Sequence, residues 1–151
     1  MKLIEKLKEH FHRVLTEEKS AHAIALGFAL GTFIEIISPI PGLDFILALI
    51  VISIFENLNK FSLLAAIVLL NSFITWPIYG VAYKLGNIIF GTTEIVRYNI
   101  EILNNVYNFS RKFAFGVLIM SILSSLIMYG LVFVFAKLYK RKKNPKHLKD
   151  N

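Results

Sequence analysis

Residues Gly31 to Ile50, GTFIEIISPIPGLDFILALI, limit the folds open to this chain more than any other stretch. Two apolar segments of helical character meet at Pro39-Ile-Pro41-Gly42. A proline has no amide hydrogen to donate and pushes the residue before it out of helical angles, so no single helix passes through both Pro39 and Pro41. The chain must turn there, with Glu35 on one side of the turn and Asp44 on the other. Water would solvate the backbone groups freed at such a break. Hydrocarbon cannot, so in a membrane they must be buried in protein or line a watery cavity.

Composition decides between those surroundings. Of 151 residues, 56% are apolar and 18% charged, with a mean hydropathy of +0.61, whereas soluble domains carry roughly 25% charged residues. This is the composition of an integral membrane protein, and the length fits a single domain. The net charge of +7 does not point to nucleic acid, because 12 of the 17 Lys and Arg lie before Ser20 or after Ala136. Those are flanks of apolar segments, where the positive-inside rule places them, and no stretch interleaves basic residues with aromatics as a nucleic-acid surface would. The absence of cysteine excludes disulfides, thiolate metal sites and cysteine nucleophiles. The first 20 residues are charged throughout, with no cleavage site behind an apolar core, so no signal peptide is expected.

Over Lys2 to Glu18, Ile4, Leu7, Phe11 and Val14 recur at helical spacing among charged residues. This predicts an amphipathic helix lying at the membrane interface or docking a partner. His10 and His12, two apart on that helix, point about 200° apart and form no metal pair. Ala21 to Ser38 follows, 18 residues or about 27 Å of helix, with Gly27 and Gly31 in a small-xxx-small pattern that admits a close neighbour. Gly42 to Phe55 is 14 residues, about 21 Å, short for the roughly 30 Å hydrocarbon core. After a polar turn at Glu56 to Lys60, Phe61 to Trp76 and Pro77 to Phe90 repeat the form: two short apolar pieces about a proline. Paired interrupted segments of this kind point to a midplane site built from half-helices.

Residues 91–112 read as a polar connector, in which Ile95, Ile102, Leu103, Val106 and Phe109 mark at most one face of a short surface helix. Phe113 to Ala136 is 24 uncharged residues, about 36 Å of helix, and reads as the unambiguous transmembrane span. A basic tail with Pro145 closes the chain. Basic clusters at both ends predict cytoplasmic termini in an inner-membrane, multi-pass protein, so residues 21–90 cross an odd number of times. Three topologies satisfy this: a re-entrant hairpin over 21–56 then one broken crossing, a full crossing then a re-entrant hairpin, or three crossings. Segment lengths favour the re-entrant ones.

The expected fold is thus an all-α integral membrane protein in one domain. It comprises an interfacial helix over 1–19, two Pro-broken hairpins over 20–90, a connector over 91–112, a transmembrane helix over 113–136 and a basic tail over 137–151. An ionisable group inside a membrane costs about 2.5–3.5 kcal/mol, which makes it a functional candidate by default. If the two breaks meet, Glu35, Pro39, Pro41, Gly42, Asp44, Asn71, Thr75, Pro77, Tyr79, Tyr83 and Lys84 surround one polar cavity. Helix N-termini at Gly42 and Pro77 would then favour an anion there. Each has a structural alternative: Glu35 paired with Lys84 as helix glue, Asp44 as a helix cap, and the tyrosines as a packing or interfacial belt. No Gly-rich phosphate loop, HExxH or Ser/His/Asp set is present, and no cofactor or metal is expected.

AIALGFALGTFIEIISPIPGLDFILALIV and LNSFITWPIYGVAYKLG resemble a family of small prokaryotic membrane proteins catalogued as a domain of unknown function. Asn71 falls on that family's Asn-Pro, with Ser72 in place of the proline. Pro77, Tyr79, Tyr83, Lys84 (where Arg is usual) and Gly86 fall on its second block. Glu35 and Asp44 depart from it, standing where the family has a small residue and His or Gln. Glu-x-x-x-Pro-x-Pro and the Tyr-Lys-Leu-Gly region are also similar, more distantly, to the DedA superfamily of lipid flippases and scramblases, which implies facing re-entrant hairpins and movement of an anionic lipid or solute. The expected function is therefore a transporter or lipid-translocating protein, acting on membrane lipids or an anionic solute as a homo-oligomer. The rival is an accessory membrane subunit docking a cytoplasmic partner such as a membrane-associated glycosyltransferase.

Overall fold

A computed structural model describes residues 20–55, 58–91 and 98–143, and among these it contains four α-helices and no strand. They are α1 (Ala21–Ile37), α2 (Leu43–Ile54), α3 (Lys60–Phe90) and α4 (Glu101–Lys143). The amphipathic segment over residues 2–18 and the tail beyond 143 lie outside the described residues.

Local chemistry sets the ends of these helices. The Ser20 hydroxyl accepts from the Ala23 amide at 3.2 Å and caps α1, meeting one of the donors a helix start leaves open. At the far end of α1 the prolines stop the helix as expected. Gly42 then takes φ 92°, immediately before α2, in the left-handed region that glycine enters without a Cβ penalty. Asn59 caps α3, its Oδ1 accepting from the Ser62 amide at 3.0 Å.

The first break reverses the chain. Ile34 of α1, Ala48 of α2, and Leu63 and Ile67 of α3 form one buried cluster. The end of α2 at Ile54 shares a cleft with Ser20 and His22 at the start of α1. α1 and α2 are therefore a hairpin whose two ends lie together. α3 starts at that same end, and its first half runs parallel to α1. Near its start the Ser62 hydroxyl donates to the Ile24 carbonyl at 2.7 Å, and further on Tyr79 reaches Glu35. Gly27 and Gly31 make this possible, since a Cβ at Gly27 would lie 2.5 Å from the Asn59 carbonyl oxygen and one at Gly31 would meet that of Leu63. The small-xxx-small pattern thus has a definite partner, the first two turns of α3.

α4 runs antiparallel to α1. Ile24 packs with Ala136, the Ser125 hydroxyl donates to the Ala29 carbonyl at 2.9 Å, and Ile36 clusters with Val117. The second half of α3 lies against the start of α4. A Cβ at Gly86 would strike the Lys112 carbonyl, and one at Gly116 the Ala82 carbonyl.

Two expectations change. The second apolar pair is not a proline-broken hairpin: it is one bent element, with 79° between Lys60–Asn71 and Ile74–Phe90. The bend sits at Asn71 (φ −6°, ψ 169°), and the helix continues through Pro77. A proline is tolerated in the first turn of a helix, where its fixed φ fits and its missing amide is not needed. With the new piece starting at Ile74, Pro77 occupies its first turn, where amides have no helical acceptor in any case. Residues 91–112 also differ from expectation, because only the part before Glu101 is connector. Glu101 to Lys112 joins the apolar stretch in one helix of 43 residues, whose first turns lie against α3 through Tyr83–Phe109 and Tyr79–Phe113 ring contacts at 5.2 and 5.7 Å.

Within α4 lies the one helix among the described residues long and apolar enough to cross a membrane, and the bent α3 makes a second if its halves form one span. Only 11% of α4's most apolar window is buried inside the protein, and large apolar side chains such as Leu126, Ile127 and Phe135 face outward.

Candidate functional site

A cavity of about 410 Å³ opens where the α1–α2 turn faces the bend of α3. Glu35 and Ser38 come from the end of α1, Pro39 to Gly42 from the turn, Asp44 and Phe45 from α2. Asn71, Thr75, Trp76 and Tyr79 come from either side of the bend, with Ile67 and Val68 behind them. Of the residues expected at one site, Glu35, Pro39, Pro41, Gly42, Asp44, Asn71, Thr75 and Tyr79 line this cavity. Pro77, Tyr83 and Lys84 do not. Lys84 is exposed on the other side of its helix, and Tyr83 packs on Phe109. Glu35 and Lys84 are thus not the helix-gluing pair the sequence allowed.

The breaks themselves supply the polar lining. Pro39 has no amide to give the Glu35 carbonyl four residues earlier, and the Tyr79 hydroxyl donates to that carbonyl instead, at 3.4 Å. The Asn71 carbonyl at the bend accepts from the Thr75 hydroxyl at 3.3 Å. At Pro39 and at Asn71 a hydroxyl from the opposing wall or the next turn thus serves a carbonyl at the break, as buried backbone groups require.

Glu35 and Asp44 meet across the turn. Both are buried, 7% and 8% exposed, and both line the same cavity. Two carboxylates held in one cavity repel each other, and a proton or cation between them relieves that repulsion. Asp44 also sits in the first turn of α2, where helix amides favour negative charge, yet its Oδ1 is buried with no hydrogen-bond partner. Among the described residues no Lys, Arg or His lines the cavity. Among the described residues no three His, Asp or Glu side chains converge, so the pair lacks the donor set a transition metal takes. The arrangement is suited to holding a proton, or a cation that completes its coordination with the Thr75 and Tyr79 hydroxyls.

Sequence reasoning passed over Ser38, Phe45, Ile67 and Val68 as site residues and mentioned Trp76 only beside the break. Trp76, the single tryptophan, is 75% exposed at the cavity's edge, and an exposed tryptophan beside a proline was the available signal.

Neither a curated protein nor a solved structure matches the chain. The more distant resemblance to the DedA superfamily is not shown by these comparisons. A family model described as "uncharacterized protein conserved in bacteria" (DUF2062) matches residues 5–144. With nearly its whole length matched, the chain belongs to that bacterial family.

Proposed function

We propose that this chain is an integral membrane protein that moves a solute or lipid across the bilayer, with Glu35 and Asp44 taking up and releasing a proton or small cation in each cycle. One observation carries the reading: two buried carboxyl groups share an open cavity at a helix break, one oxygen has no partner, and among the described residues no basic side chain lines the walls. Such groups are costly in a membrane and are kept where they bind or relay charge. The outward-facing apolar surface of α4 supports membrane insertion. A buried core helix of a soluble protein would turn that surface inward.

Helix lengths support the re-entrant topology. α1 and α2 have 17 and 12 residues, about 26 and 18 Å against a core of roughly 30 Å, and both ends of the hairpin lie at one end of the bundle. α3 then crosses once as a bent span and α4 returns, which leaves Ser20 and Arg141 on one side. The basic cluster of α4 makes that side cytoplasmic. The walls favour a proton, a cation or a cationic headgroup over the anionic substrate expected from the sequence. A chain this small closes such a cavity most simply by pairing with another copy.

The test is reconstitution of the full chain in liposomes holding a trapped pH indicator and a trace of fluorescent phospholipid. Proton entry or lipid exchange is expected with the parent protein and is lost in Glu35→Gln and Asp44→Asn. Both variants replace a charge while keeping shape, so membrane insertion and helix content should not change. Transport by both variants at the parent rate would remove the carboxyl pair from the mechanism.

A further inference from the structure

The molecule carries a second, chemically different cleft at the opposite end of the bundle, where α1 and α3 begin and α4 ends. It measures about 440 Å³, within the roughly 300–1,000 Å³ range of small-molecule sites. Its interior is apolar, walled by Phe28, Ala65, Val132 and Phe135, and its rim carries Tyr139 and Lys142. Phe135, Tyr139 and Lys142 succeed one another at spacings of four and three, so one face of α4 grades from apolar to cationic over about 10 Å.

We infer that this cleft binds an anionic phospholipid, with acyl chain against Phe28, Ala65 and Phe135 and phosphate at Lys142. The argument is complementarity of charge and polarity together. No Asp or Glu occurs between Glu101 and Asp150, while Lys137, Arg141 and Lys142 stand at the end of α4, so an anionic headgroup complements the charge of this part of the helix. A peptide is a poor occupant, because its backbone would need hydrogen bonds that these walls do not offer. Among the described residues the one polar side chain on the walls short of the rim, that of Ser62, already donates to the Ile24 carbonyl. Phe135 is 70% exposed, which leaves the cleft open from the side where lipid would lie. The inference rests on the membrane reading above but not on the carboxyl pair.

The test uses the full chain, delipidated in detergent, with bound molecules counted by native mass spectrometry after adding phosphatidylglycerol, phosphatidylcholine or inorganic phosphate. Phosphatidylglycerol should be retained in preference to phosphatidylcholine, and phosphate alone should not be. A basic group near anionic headgroups contributes about 1 kcal/mol, so Lys142→Gln should weaken phosphatidylglycerol retention about fivefold. Ala65→Phe, which fills the cleft, should abolish it. Circular dichroism checks that the filled variant folds; if it does not, Lys142→Gln, at the exposed end of a helix, decides alone. Equal retention of both lipids, indifference to Lys142→Gln, or phosphate bound alone would overturn the inference. A carbonate wash of cell membranes separates the two levels. Protein washed off refutes the membrane reading itself, and protein retained without lipid preference refutes only this site.

Discussion

Gly31→Ala tests how α1 and α3 are held together, and with them the two walls of the cavity. Alanine is the better helix former by about 0.8–1.0 kcal/mol, so on propensity alone the variant is stabilised. Packing opposes this. The added methyl would strike the Leu63 carbonyl oxygen and lie 2.7 Å from the Ala66 Cβ, atoms fixed to the α3 backbone that cannot swing aside. The helices must separate beside the buried Ile34, Leu63 and Ile67 cluster, and overpacking of this kind costs about 1–3 kcal/mol. Taking a mid-range value, packing outweighs propensity by about 1 kcal/mol, or about 2–4 °C in melting temperature for a chain of this size. Gly130→Ala is the control. Nothing lies within 4 Å of a Cβ there, so the propensity gain stands unopposed and the melting temperature should rise by about 2–4 °C. Circular dichroism melts of the two variants in one detergent should move in opposite directions. If Gly31→Ala rises as Gly130→Ala does, the close approach of α1 and α3 is wrong.

Pro77→Ala should leave the bend in place, because the break belongs to Asn71 and Pro77 only occupies the first turn after it. With spin labels at Lys60 and Ile88, the 79° bend gives a backbone separation of about 32 Å against about 42 Å for a straight helix. Lengthening toward the larger value in the variant would make the proline the cause. Thr75→Val removes the hydroxyl that serves the Asn71 carbonyl and should cost about 1 kcal/mol, read as a melting temperature lower by about 2–4 °C; an unchanged melt would mean that water serves that carbonyl.

The first half of the site was legible because its grammar is local. Two prolines and a glycine within four residues force a turn, and acids placed just before and just after a tight turn meet. The second half was not, because a proline is as much at home in the first turn of a helix as at a break. A break drawn at Pro77 severs Thr75 from Lys84 and lets both face one cavity. Once Ile74–Phe90 is a single helix, nine residues turn roughly 180°, so Lys84 must face away whenever Thr75 faces in. The length of α4 was hidden by charge: Glu101, Arg111 and Lys112 suggested an exposed connector, whereas Tyr83, Phe109 and Phe113 pair aromatic surfaces that hold those turns on α3. The packing roles of Gly86, noted only as part of the family's second block, and of Gly116 escaped notice because each meets a carbonyl on the partner helix, a relation between segments about thirty residues apart that no spacing within one helix reveals.

In the proposed topology the α1–α2 hairpin enters and leaves the membrane on the side where α4 ends. With no native cysteine, single cysteines at Lys60, Glu101 and Arg141 can be labelled with a membrane-impermeant thiol reagent applied to each face of oriented vesicles. Lys60 and Arg141 should label from the cytoplasmic face and Glu101 from the other. Labelling of Lys60 together with Glu101 would place the end of the hairpin across the bilayer and contradict both the re-entrant path and the site built upon it.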